Sequence, residues 1–319
     1  MLSLNNVAQN KLFMRSERKL MCTRCKGKPA IVKKPFTSEL LCRECFLSDL
    51  VKRVKRNLSR SKQLNYGEKV AYLLPSRFLI SGALGLKIVS SIEKKYSSEV
   101  HVFLDSRKSA EVIEREVKID GGSMYILNIP QKLKKLIDND SLLAWWRRYR
   151  AIASHALSKR GFRSILFPIC AEASLKMEIS SILAAELDGV GESKLFFQRP
   201  DGFSFVNIFH GISCREAYFL SYLTFPSLFS IEGTVGKVWI ESLNDKYAER
   251  LLLSAIKFRS GEILHSVDKS MEWLLGSSIT ARCRFCGGLS IGKDTCNACT
   301  YFENPEIASL LSDIDLEEY

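Results

Sequence analysis

The sequence predicts an α/β protein: a parallel sheet with crossover helices, carrying a four-cysteine module near each end. Three observations predict it. Apolar runs of strand length alternate with longer amphipathic stretches through the middle of the chain. Eight of the ten cysteines fall in four Cys-x-x-Cys pairs. The excess of positive charge is confined to the first fifth of the chain. Composition agrees: 319 residues, 46% hydrophobic and 26% charged, describe a globular chain rather than a disordered one. No run approaches the ~18 uncharged apolar residues of a membrane span. The amino terminus, MLSLNNVAQNKLFMRSERK, lacks an apolar core and a small-residue cleavage site, so a cytoplasmic location is expected.

Taken in order, the first element is a cysteine quartet, Cys22, Cys25, Cys42 and Cys45. Each Cys-x-x-Cys loop aims two thiolates at one ion, and two loops complete a tetrahedral sulfur site. Gly27, just past the first loop, suits the turn such a knuckle needs. A second quartet, Cys283, Cys286, Cys296 and Cys299, stands near the other end, with Gly287 and Gly288 in the same role. Two filled quartets predict structural zinc with no open position for water, an iron–sulfur centre being the alternative. Disulfides do not fit a long chain without a secretory signal.

A basic helix follows the first quartet. Residues 1–62 hold sixteen Lys and Arg against four acids, and the remaining residues balance, so the whole net charge of +12 sits there. That is an electrostatic footprint for a polyanion, nucleic acid first. Arg53, Arg56 and Arg60 recur on one helical face with Lys52 and Lys55 beside them and Lys62 just beyond. Leu50, Val54 and Leu58 recur on the opposite side, where they could dock the helix.

The middle of the chain supplies the sheet. Strands are expected at Lys69–Leu74, Glu99–Asp105, Ser123–Ile129 and Ser164–Ile169, with helices at Gly82–Lys95, Ser141–Arg160 and Ala173–Leu187. In such a sheet ligands bind beyond the carboxyl ends of the strands, and the loop after the first strand meets phosphate. Here that loop is Pro75-Ser76-Arg77-Phe78-Leu79-Ile80. A phosphate cradle needs converging N–H groups and small residues. Proline removes a donor and the bulky residues block approach, so ATP binding is not expected. The later Ser81-Gly82-Ala83-Leu84-Gly85 reads as close packing of a helix on the sheet.

Residues 21–74 resemble the cytoplasmic tRNA 2-thiolation protein 2 family. The resemblance is carried by Cys22-x-x-Cys25, Pro29-Ala30, Cys42-x-x-Cys45-Phe46, the basic helix Val51–Leu58 and Gly67-Glu68-Lys69-Val70, in that order. Weaker likeness runs through Ser141–Glu186, Asp201–Leu223 and the second quartet. It implies a degenerate PP-loop ATP pyrophosphatase-like (adenine nucleotide alpha hydrolase-like) domain. It also implies a noncatalytic subunit that partners the catalytic cytoplasmic tRNA 2-thiolation protein 1 in modifying wobble uridine 34 of the tRNAs for Lys, Glu and Gln. Sulfur would arrive on the ubiquitin-related modifier. Pro75-Ser76-Arg77 stands where the family keeps Ser-Gly-Gly, and the stretch before Arg147-Arg148 lacks the paired cysteines of the catalytic relatives.

The expected organisation is a basic zinc module and helix over residues 1–62, the degenerate PP-loop domain over 63–230, and a helical region with the second knuckle and a solvated acidic tail over 231–319. Arg147 and Arg148, beside Trp145 and Trp146, are candidates for pairing phosphates and stacking bases. Cys170 and Cys214 read as small core residues, His101 as structural, and Asp105 as a strand-end acid without a phosphate loop to serve. Two other classes remain open: a zinc-bearing RNA-binding scaffold, and a thiolating enzyme with an atypical nucleotide loop.

Overall fold

A computed structural model describes residues 20–34, 37–64, 66–119, 121–138, 141–184, 186–230, 270 and 281–319. The expected helical stretch after residue 230 and the basic residues before Leu20 lie outside them. The chain divides into two compact units, one ending at Val51 and the other spanning Lys52–Tyr319. In the first unit, β1 (Val32–Lys33) and β2 (Leu40–Leu41) form an antiparallel pair that leads into Cys42. Helix α1 (Arg43–Ser61) opens with Glu44 in its first turn and ends with Arg60 in its last, both favourable to the helix dipole. The division between units falls inside this helix, upstream of the expected boundary at Lys62. Leu50, Val54 and Leu58 are buried, as their spacing predicts. In the second unit Asn57 donates from Nδ2 to the carbonyls of Ile208 and His210 at 3.0 and 2.9 Å, which fixes the later turns of the helix.

All four apolar runs read as strands join one seven-stranded sheet. They are β3 (Lys69–Leu74), β4 (Glu99–Leu104), β5 (Met124–Asn128) and β6 (Ser164–Phe167). Helix α2 (Leu79–Glu93) crosses from β3 to β4, and α3 (Arg107–Glu116), capped by Ser106, from β4 to β5. After β5 come α4 (Gln131–Asp138) and α5 (Leu142–Lys159), the latter within the expected Ser141–Arg160 stretch and capped by the Ser141 hydroxyl. Helix α6 (Ala171–Leu183) follows β6. Then come β7 (Phe196–Gln198), β8 (Ser204–Asn207) and α7 (Cys214–Thr224), which starts in a capping box of Ser213 and Glu216. The inner strands run parallel in the order β5-β4-β3-β6-β8. The order therefore reverses between β3 and β6, the switch point where doubly wound sheets place their sites.

The small residues of α2 do what close packing requires. A Cβ on Gly82 would lie 1.9 Å from Leu74 Cδ1, and one on Gly85 2.4 Å from the Tyr72 hydroxyl. That hydroxyl donates to the Gly82 carbonyl at 2.8 Å. Helix α2 starts three residues before the expected Gly82, after a 3-10 turn over Ser76–Phe78.

The carboxyl-terminal knuckle forms the short hairpin of β9 (Ala281–Arg282) and β10 (Leu289–Ser290). Helix α8 (Pro305–Ser312) and strand β11 (Asp315–Glu318) end the chain. The expected solvated tail is thus corrected: β11 pairs antiparallel with β5, and Ile314 and Leu316 turn inward between the acids. Glu317 accepts from Arg107 and Asn128, which accounts for an acidic strand on a sheet edge. No helix among the described residues is long and apolar enough to cross a membrane.

Gly122 leads into β5 against the backbone of β4, where an added Cβ would sit 1.9 Å from the Val100 carbonyl oxygen. Gly122→Ala is expected to lower the unfolding free energy by about 1–3 kcal/mol in urea titrations, because backbone cannot yield as a side-chain tip does.

Candidate functional site

Each cysteine quartet closes as its spacing predicts. Within each, the four thiols lie within 4.8 Å of one another, and Cys25–Cys42 and Cys286–Cys296 place their Sγ atoms 3.8 and 3.7 Å apart. A single ion with metal–sulfur bonds of about 2.3 Å holds tetrahedral sulfur ligands about 3.8 Å apart. A cubane of four irons, with bridging sulfides between its ligands, spreads them further. Both quartets therefore fit one tetrahedral ion. In the second knuckle Gly287 takes the left-handed conformation, φ 68°, and donates its N–H to Cys283. In the first, that conformation falls on Lys26, φ 55°, rather than on the neighbouring Gly27.

The two sites differ in surroundings. Cys25 is exposed and Cys45 half-buried, whereas all four ligands of the second quartet are buried. Around the first, Arg24 bonds Asp49 at 3.2 Å and Glu39 at 3.5 Å, Lys34 bonds Asp49 at 2.6 Å, and Lys28 bonds Glu44 at 2.7 Å. Lys28 holds the Glu44 carboxyl down to about 2. The acids Glu39, Glu44 and Asp49 are thus engaged within the module, and the outward Lys26 and Arg43 add to its positive surface.

On α1, Lys52, Lys55, Arg56 and Arg60 are exposed, as is Lys62 after it. Arg53 is not part of that outward face. Its two terminal nitrogens reach the Glu216 carboxylate at 3.0 and 2.7 Å, a bidentate pair joining α1 to the start of α7. Glu216 is the fourth residue of the Ser213-x-x-Glu216 capping box, and nothing in the sequence links it to Arg53.

The expectation that Arg147 and Arg148 contact nucleic acid is corrected by their burial. Arg147 is 1% exposed and donates to Glu192 at 2.7 Å, to the Leu289 carbonyl at 3.2 Å and to the Asp188 carbonyl. Arg148 donates to the carbonyls of Ala298 and Leu136, both at 2.7 Å, and its guanidinium lies over the Tyr301 ring. Trp145 and Trp146 are buried as well. The stretch faces inward because its helix is covered on several sides, by the sheet, α4 and the second knuckle. Arg150, Glu192 and Asp188, which complete this arrangement, carried no sequence signal of their own.

At the switch point the loop after β3 is already filled. Phe78 is buried edge-on against Trp145 and Trp146, and Arg77 stacks over Trp145 at 4.6 Å. The Ser76 N–H and hydroxyl donate to the two oxygens of Asp105 at 3.0 and 2.9 Å. A side-chain carboxylate thus occupies donors that a phosphate loop would offer to its ligand. Burial pushes the Asp105 carboxyl above its usual range. Beside it a cleft of about 340 Å³, with Asp105, Asn128, Pro130, Lys134, Trp145 and Tyr149 in its walls, opens beyond the ends of β4 and β5. Cys170 and Cys214 are buried at the starts of α6 and α7, and the Ala171 N–H donates to the Ile212 carbonyl between them. Burial and the neighbouring Cys170 push the Cys214 thiol up, the opposite of an activated nucleophile. His101 sits in β4 with its pKa lowered by burial, taking the Ser123 N–H on Nδ1.

The chain is therefore an α/β protein built on a largely parallel, doubly wound sheet, with a four-cysteine group in each terminal region. Among solved structures it is similar to the U34-tRNA thiolase NcsA from Methanococcus maripaludis, described with its [4Fe–4S] cluster. The two share a TM-score of 0.62 and 17% identity over 89% of this chain and 96% of that one. No protein-family model and no curated relative matches the sequence.

A carboxyl raised in the fold is penalised where it must ionise, so the penalty is absent below the unfolded pKa and grows as pH rises. Asp105→Asn, which keeps an acceptor for Ser76, is expected to raise the urea midpoint at pH 7.5. The gain should vanish as the pH falls to about 4.

Proposed function

We propose that this chain is the noncatalytic, tRNA-binding subunit of a complex that 2-thiolates wobble uridine 34 of the tRNAs for Lys, Glu and Gln. One observation carries the reading. The fold follows that of a U34-tRNA thiolase along nearly the whole of both chains, yet the loop after β3 is filled by Phe78 and satisfied by Asp105. A catalytic partner, the cytoplasmic tRNA 2-thiolation protein 1, supplies ATP-dependent activation of the base. The ubiquitin-related modifier brings sulfur to the complex in the cytoplasm. The sequence resemblance over residues 21–74 supports the same assignment.

The chain's part is to hold RNA. Lys52, Lys55, Arg56, Arg60 and Lys62 form an exposed cationic face on and just beyond a helix whose other side is buried. Contacts from such a face pair phosphates, which position an RNA without reading its sequence. Both cysteine quartets hold zinc, supported by sulfur spacings that suit one tetrahedral ion. Closed four-thiolate sites leave no position for water, so the metals shape the protein and take no part in chemistry.

Two measurements test this. Mercury-affinity electrophoresis of tRNA from cells lacking the chain should show loss of the retarded, 2-thiolated species for Lys, Glu and Gln; persistence at normal levels overturns the thiolation assignment. Reversing Lys52, Lys55, Arg56 and Arg60 to Glu should weaken tRNA binding, with the slope of log affinity against log salt falling by about 0.7–0.9 for each phosphate that is no longer neutralised. An unchanged slope removes α1 from the interface.

A further inference from the structure

Three arginines from one helix converge on the second knuckle. Arg147 and Arg150 have essentially no exposure and Arg148 little. Glu192 bonds both Arg147, at 2.7 Å, and Arg150, at 3.0 and 3.1 Å. Asp188 uses both carboxylate oxygens on the knuckle itself, accepting from the Ile291 and Asn297 N–H groups at 3.1 and 2.8 Å. Gly288, inside the knuckle, lies so close that an added Cβ would sit 2.9 Å from Arg150 and 3.0 Å from Arg147. The knuckle turn and the two guanidinium groups are thus packed face to face with no side chain between them.

Arg147 and Arg150 share the single carboxylate of Glu192. Arg148 reaches carbonyls instead, and the Asp188 carboxylate is taken up by knuckle N–H groups. A divalent ion on four thiolates carries a charge of −2. Such a centre stands against the Arg147 and Arg150 guanidinium groups at Gly288 and would offset positive charge that Glu192 alone must otherwise meet.

We propose that the carboxyl-terminal tetrathiolate centre is the counter-ion of the α5 arginines and an obligate part of the α/β core, whereas the amino-terminal ion exchanges without unfolding that core. The inference rests on the reading that both quartets hold metal. Its consequence is that the two ions leave by different routes. The first departs from a module with two of its four ligands open to water, and the second departs only when the sheet unfolds.

The experiment uses the full chain. Metal content is counted by mass spectrometry, then the chain is held with excess chelator while far-UV circular dichroism and alkylation of individual cysteines are followed. Early labelling of Cys22, Cys25, Cys42 and Cys45 is expected, with the native spectrum intact. Cys283, Cys286, Cys296 and Cys299 should be labelled only at the rate of global unfolding. Labelling of the second quartet while the spectrum stays native overturns the proposal. So does an ion retained at the first quartet alone in a natively folded chain. A chain purified natively folded with no metal at all instead refutes the metal reading on which it rests. Arg147→Met should weaken the affinity of the second site by about 10- to 100-fold in competition with a chelator, the usual effect of losing an outer-shell partner, and leave the first unchanged. If Arg147→Met does not fold, the wild-type release experiment decides alone.

Discussion

Burying Arg147 and Arg150 strips water from two positive charges, which a core tolerates only when each is paired and hydrogen-bonded. Glu192 meets both at once, and the carbonyls of Asp188 and Leu289 take further donors of Arg147. Removing one partner of such a set leaves a charge stranded in a low dielectric, at a cost of about 3–5 kcal/mol. The constraint therefore reaches past the three side chains. Helix α5 supplies the arginines, the segment after α6 supplies Asp188 and Glu192, and the knuckle supplies Leu289. None of these can shift without breaking a charged bond. Phe197 and Phe205 lie under the Arg150 guanidinium at 4.5 and 5.3 Å, so β7 and β8 are drawn into the same arrangement.

Asp105, just past the end of β4, obeys the same rule. A loop at the head of α2 exposes N–H groups that must be satisfied, by a ligand, by water or by the protein. Here Asp105 and Ser76 satisfy one another, and Phe78 is buried edge-on against Trp145. The carboxyl's raised pKa records the cost of that burial. The fold is similar to that of a U34-tRNA thiolase, and its loop after β3 is closed from within by Asp105 and Phe78.

What could be read from sequence was whatever is local. Lys69–Leu74 is a buried strand because five consecutive apolar residues leave no polar face, and α5 starts at Ser141 because a serine there caps the next turn. Each quartet was legible since Cys-x-x-Cys constrains its own geometry. What escaped was long-range. Arg147 and Arg148 look like any surface pair of arginines until the knuckle, whose carbonyls lie 142 and 150 residues further on, closes over them. Strand β11 hid because its alternation of Ile314 and Leu316 with acids is two residues long, and only the β5 edge gives it a partner. Arg53 belonged to a correct periodic face, yet its pairing with Glu216 is set by where α7 begins.

Net charge per segment consequently overstates what is available to a partner. The second unit contains many arginines, but those of α5 are consumed by burial, and Arg53 by an internal carboxylate. The cationic face that remains on α1 is carried by Lys52, Lys55, Arg56 and Arg60, with Lys62 beyond its end. Its position is not that of a loose basic arm. Asn57 ties the helix to the backbone at the end of β8, Arg53 ties it to the head of α7, and Val54 and Leu58 are buried beneath it. Charges mounted on a fixed helix lose little orientational freedom when they meet phosphate, so more of each contact survives as affinity and as register. The buried side chains of α1 are therefore as much a part of the proposed nucleic-acid surface as the lysines: they fix where those lysines stand.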